Sequence, residues 1–149
     1  MVVGIVSVVV GCAQPQSAVS EAPPVPEPVR EVLTAEAQAA MTPEPVLADL
    51  KAGNERFVAG NLTPRDYLAQ AEITAANGQF PKAVILGCVD SRVPPEIIFD
   101  QGIGDVFVGR VAGNVEDVNL VGSLEFATKV AGSKVVVILG HTACGAIKG

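Results

Sequence analysis

Cys88-Val89-Asp90-Ser91-Arg92 and His141-Thr142-Ala143-Cys144-Gly145 are the two places in this chain where metal-ligating and acid–base side chains gather. Together they offer two thiols, one imidazole and one carboxylate, a donor set that suits tetrahedral zinc. Cys88, His141 and Cys144 would leave a zinc ion neutral, with a fourth position open to water or substrate. Asp90 as the fourth ligand would close the shell and make it net negative. Arg92 offers a way out, because its guanidinium can take Asp90 in a bidentate pair and draw the carboxylate off the metal. Asp90 could then orient a zinc-bound water. Zinc held by three histidines lowers the pKa of such a water from about 15.7 to about 7, and two thiolates should leave it somewhat less acidic.

Plainer uses of the same residues exist. Cys88 and Cys144 could form a disulfide, but that would leave His141 and Asp90 at ligand spacing for no reason. A closed Cys-Asp-His-Cys zinc could merely brace the loops, yet structural sites favour close pairs within one small module. His141 taken alone would read as a packed or surface histidine. It gains weight as the only histidine, three residues before Cys144. Ser91 reads equally well as a turn cap. Gly109-Arg110-Val111-Ala112-Gly113-Asn114 lacks the glycine spacing and the lysine of a phosphate loop.

Each cluster follows a buried-looking apolar strand, within Lys82 to Gly87 and Lys134 to Leu139, with another strand over Asp105 to Val111. Ligands in open parallel sheets bind beyond the carboxyl ends of the strands, so the two clusters should meet. Helical signals alternate with the strands. Thr42-Pro43 opens a helix that Gly60 stops, and Thr63-Pro64 opens one ending at Asn77-Gly78. A helical turn is expected over Pro94 to Phe99, and Leu120, Leu124, Ala127 and Ala131 mark a helix face closed by Gly132. A last helix begins near Cys144, barely one turn before Gly149. The expected fold is α/β, a parallel sheet with flanking helices and an N-terminal helical arm, its C-terminal part lying beyond the sequence.

The chain has 149 residues, 49% hydrophobic and 17% charged, with a net charge of -6, enough for one domain with a core. That charge, without any basic run, argues against nucleic acid, and one Tyr with no Trp leaves no stacking platform. The three cysteines do not make a disulfide scaffold. Residues 2–10 are almost continuously apolar, too short to span a bilayer, which takes about 20 residues. They end in Val10-Gly11-Cys12, which resembles the lipobox of bacterial lipoproteins, although no Lys or Arg precedes the run. Three segments follow: 1–12 as a signal and lipobox-like stretch, 13–41 as a Pro/Ala/Glu-rich tether, and 42–149 as the zinc domain. This places the protein in the periplasm or cell envelope, lipid-anchored at Cys12, with the cytoplasm as the alternative.

From about Leu47 to Gly149 the chain resembles the β-class carbonic anhydrases. The resemblance rests on Cys88-x-Asp90-Ser91-Arg92, on Arg110-Val111-Ala112-Gly113-Asn114 and on His141-x-x-Cys144-Gly145. It implies reversible hydration of CO2 to bicarbonate and a proton through a zinc-bound hydroxide. Cys88, His141 and Cys144 would hold zinc, with Asp90 on the metal in a resting form and paired to Arg92 in the active one. It also implies a homodimer or larger assembly whose N-terminal helices embrace the partner. The Gln101-Gly102-Ile103-Gly104 loop departs from the plant-type pattern, which carries a glutamine at about Gly102. Two other functions are compatible with the residues: hydrolysis of a CO2 analogue such as carbonyl sulfide or carbon disulfide, and a tethered zinc-binding fragment without catalysis. Arg92 argues against the second, since a bracing site needs no device for releasing a ligand.

Overall fold

A computed structural model describes residues 26–149, so the lipobox-like segment and the first half of the expected tether lie outside the described residues. The elements run α1 (Ala35–Ala40), α2 (Pro43–Val58), α3 (Tyr67–Asn77), β1 (Ala83–Gly87), α4 (Pro95–Ile98), β2 (Val106–Arg110), α5 (Val118–Glu125), β3 (Val135–Leu139) and α6 (Gly145–Lys148). A single tight turn, Ala112–Asn114, follows β2, and α5 runs on into a wider π-helical turn over Phe126–Val130. The three strands form one parallel sheet in the order β2-β1-β3. This is the expected α/β class.

β1 is central because it is apolar throughout: Ala83, Val84, Ile85 and Leu86 are buried on both faces. A fully buried side chain the size of Ile85 contributes about 1.5–3 kcal/mol through removal of apolar surface from water. Val46 and Leu50 of α2 pack with Ala83, flanked by Met41, Phe99, Val106, Val135 and Val137. The helix comes close enough to do this only because Gly53 has no side chain: a Cβ there would sit 1.9 Å from the Phe99 carbonyl oxygen.

Three expectations change. The tether was expected to reach residue 41, but the chain joins the folded unit from Val29, whose amide donates to the Pro64 carbonyl at 2.9 Å. Thr34 caps α1, and the buried Gln38 amide donates to the carbonyls of Pro81 at 2.8 Å and Ala131 at 2.9 Å. Buried polar groups with partners do the anchoring here, and they leave no apolar stripe to read. The helix expected from Thr63-Pro64 starts at Tyr67, capped by Asp66, because the Thr63 hydroxyl and amide are committed to Asp100. Finally, β3 is not buried throughout: Val136 and Ile138 are exposed, because β3 is an edge strand among the described residues.

Candidate metal centre

Cys88 is the first residue beyond β1, and Cys144 stands at the N-cap of α6 in the loop that leaves β3. Parallel pairing aligns Gly87 with Leu139, so both loops emerge at the same sheet edge. The ligand atoms of Cys88, His141 and Cys144 all lie within 4.8 Å of one another, and the two sulfurs are 3.9 Å apart. Cys88 is buried, and His141 and Cys144 are half-buried.

The His141 ring is oriented for a ligand. Its Nδ1 lies 3.0 Å from the Thr142 carbonyl and donates to it in the matching tautomer, which leaves the lone pair on Nε2. Nε2 is buried and has no hydrogen-bond partner among the described residues. An orphaned buried nitrogen beside two thiols is the chemistry a zinc or similar thiophilic ion would satisfy. The residues present therefore fit a metal.

Asp90 is turned away from this trio. Arg92 holds it with Nε on Oδ1 at 2.9 Å, Nη2 on Oδ2 at 2.8 Å and its own backbone amide on Oδ1 at 3.0 Å. The structure thus displays the Arg-paired arrangement of the two that the sequence allowed. Asp90 Oδ2 remains 3.9 Å from His141 Nδ1, at the margin of the site. Arg92 holds the Asp90 carboxyl well below the usual carboxylate range, so Asp90 is an anion at any neutral pH.

The thiol of Cys88 is lowered to about 7, chiefly because the Gly113 amide donates to its sulfur at 3.3 Å, with His141 adding to the effect. Cys88 in turn raises His141 above its ordinary value. Gly113 can aim its amide this way because it adopts a left-handed φ of 70°, a conformation glycine takes without strain. Sequence reasoning named this segment without assigning it contacts. Gly113 and Asn114 also line a cavity of about 120 Å³ with Gly140, His141, Cys144 and Ile147. That is far below the roughly 300–1,000 Å³ of pockets for drug-sized ligands and admits only a molecule of a few heavy atoms.

Two thiols and an imidazole at the carboxyl edge of a parallel sheet, with an Arg-paired carboxylate beside them, make a candidate metal centre in an α/β domain. Comparison with known proteins narrows the class. Residues 83–149 match the family model described as carbonic anhydrase. Carbonic anhydrase 2 of Mycobacterium tuberculosis strain H37Rv is 52% identical over 98 residues, covering 66% of this chain and 47% of that protein. The carbonic anhydrase of Mycolicibacterium smegmatis is 48% identical over 99 residues, covering 66% of this chain and 48% of its own. The solved Coccomyxa β-carbonic anhydrase in complex with acetazolamide superposes with a TM-score of 0.50 at 30% identity, over 73% of this chain and 47% of that one. The chain spans about half the length of the curated relatives it matches.

Proposed function

We propose that this chain forms the zinc site of an enzyme that reversibly hydrates CO2 to bicarbonate and a proton. The observation that carries the reading is the Cys88–His141–Cys144 trio within 4.8 Å, next to an Asp90 that Arg92 holds by two side-chain bonds. Cys88 Sγ, Cys144 Sγ and His141 Nε2 would hold the ion, the two thiolates balancing its charge. A zinc ion bound there supplies Lewis acidity that makes hydroxide available near neutral pH.

The protein's own contribution is orientation. The Asp90 carboxylate, ionised and fixed by Arg92, has acceptor capacity left and stands at the margin of the trio. It is placed to accept an O–H from the reacting water and to aim the oxygen at the CO2 carbon, while the released proton passes to solvent. Arg92 keeps Asp90 off the ligand set and so keeps a coordination position free for reaction. The small cavity beside His141 suits a triatomic substrate. This reading includes a homodimer or larger assembly, to which exposed apolar residues such as Leu68, Val118 and Val130 offer surface.

Arg92→Ala tests the reading. Stopped-flow CO2 hydration falls about 10–100-fold, the usual loss when a group supporting a metal site is removed, while zinc content stays at the wild-type level. Wild-type rates in Arg92→Ala would refute the role given to the pair.

A further inference from the structure

Strand order poses a geometric problem for the metal centre. Cys88 directly follows β1 and is held near the end of β3 by the Gly87–Leu139 pairing, but His141 and Cys144 lie in the loop after β3, which the sheet alone does not place. The segment after β2 crosses this gap. β2 and β3 lie on opposite sides of β1, so a chain leaving β2 can touch β3 only by passing over the carboxyl end of β1. Val111 begins the crossing by donating to the Gly87 carbonyl at 3.1 Å.

The contacts along it reach the first ligand loop on one side and, on the other, the last residue of β3, from which the second ligand loop leaves. Arg110 spreads its guanidinium over the first loop, Nε donating to the Cys88 carbonyl at 2.8 Å and Nη2 to the Asp90 carbonyl at 2.6 Å. The Gly113 amide donates to the Cys88 sulfur at 3.3 Å. Asn114 then donates from Nδ2 to the Leu139 carbonyl at 2.7 Å, two residues before His141. Asn114 holds a left-handed φ of 59°, which places its side chain across the strand end. Ile147 and Ala146 of α6 stand against Gly113, 3.2 and 3.4 Å from where a Cβ would be, which leaves little room for a side chain there.

We propose that Arg110–Asn114 is a positioning strap that sets the distance between the Cys88 loop and the His141–Cys144 loop before a metal arrives, with Arg110 and Asn114 as its two fastenings. The proposal rests on the zinc reading for its purpose, but the strap itself is a property of the metal-free chain. Both act through backbone carbonyls, Arg110 through those of Cys88 and Asp90 and Asn114 through that of Leu139.

The test pairs Asn114→Gly with a remote control. Glycine tolerates the left-handed backbone, so only the amide donor is lost. Asn54→Ala removes the same kind of bond elsewhere, from Asn54 Nδ2 to the Ile98 carbonyl at 3.1 Å. Arg110→Lys keeps the charge but cannot span two carbonyls. All variants are made in a Cys12→Ala background and read in two ways. In metal-free protein equilibrated with glutathione, Cys88 and Cys144 are oxidised to a disulfide as one glutathione disulfide is reduced to two thiols, and the equilibrium constant reports the effective concentration of one sulfur at the other. In cobalt(II)-loaded protein, competition with a chelator, followed by the thiolate charge-transfer band, reports metal affinity. Asn114→Gly lowers both by about 10–100-fold, Arg110→Lys lowers both by a smaller factor, and Asn54→Ala lowers thermal stability alone. An Asn114→Gly glutathione constant equal to that of Asn54→Ala overturns the strap, as does equal cobalt affinity. A wild-type chain that binds no cobalt would overturn the zinc reading, and the glutathione measurement would still decide the strap.

Discussion

Replacing Asp100 with Asn removes a carboxylate whose side chain is 1% exposed and which answers two guanidinium groups, those of Arg56 and Arg65. Thr63 adds its hydroxyl at 2.7 Å, and the Arg65 Nη2 also reaches the Asp100 carbonyl at 2.6 Å. The cluster ties α2 and the lead into α3 to the turn that follows α4. Asn keeps the shape but not the charge, and its amide nitrogen would face a guanidinium. Breaking a buried ion pair by removing one partner costs about 3–5 kcal/mol. Arg56 is 37% exposed and can turn to water, whereas Arg65 at 10% cannot, so the lower end of that range, about 3 kcal/mol, applies. For a domain of this size that is a drop in Tm of roughly 12 °C.

The same contacts set a pH dependence. Burial alone would raise the Asp100 carboxyl, but hydrogen bonds from Arg56, Thr63 and Arg65 outweigh it and lower it from 3.8 to about 2. A shift of that size corresponds to roughly 2–3 kcal/mol. Because the folded pKa is depressed, this stability is fully present above about pH 4 and is lost as pH falls through about 2. Thermal melts and urea titrations of wild type and Asp100→Asn should therefore differ by a constant amount from pH 7 to pH 5, and the gap should close below pH 4. A gap under about 1 kcal/mol at pH 7, within the range of ordinary surface substitutions, would refute the reasoning. So would a gap that persists unchanged into acid.

Two further outcomes are expected. In metal-free protein the alkylation rate of Cys88, followed by peptide mapping, rises with a midpoint near pH 7, because the Gly113 amide favours its thiolate; a midpoint at the usual 8.5 or above would contradict the contact. We also propose that the protein is lipid-anchored at Cys12, on the apolar run and Val10-Gly11-Cys12 ending of the sequence. Cell fractionation should place it with membranes and release it in Cys12→Ala, and a soluble distribution indifferent to Cys12 would end that proposal.

The residues of the candidate site were legible as a group because each sits in a short cluster just past an apolar run, and a parallel sheet has one edge where such clusters must meet. β1 was legible for the same reason, as a continuous Ala-Val-Ile-Leu stretch buried on both faces. The polar fastenings were hidden. Gln38 is anchored 43 and 93 residues away in sequence, and Asp100 meets Arg56 and Arg65 across 44 and 35 residues. No periodicity marks such pairs. The same holds for Asn114 and Leu139, 25 residues apart, whose bond depends on β2 and β3 lying on opposite sides of β1. Thr63-Pro64 misled because a threonine before proline signals a cap, while the buried carboxylate that claims its hydroxyl is distant in sequence.

Metal content of the purified chain, measured beside Cys144→Ser, bears most directly on the central claim that Cys88, His141 and Cys144 hold zinc. One zinc per chain in the wild type, and its loss or marked weakening in Cys144→Ser with the fold retained by circular dichroism, is the expected result. Undiminished zinc in Cys144→Ser, or none in a folded wild-type chain dialysed against the metal, would contradict it.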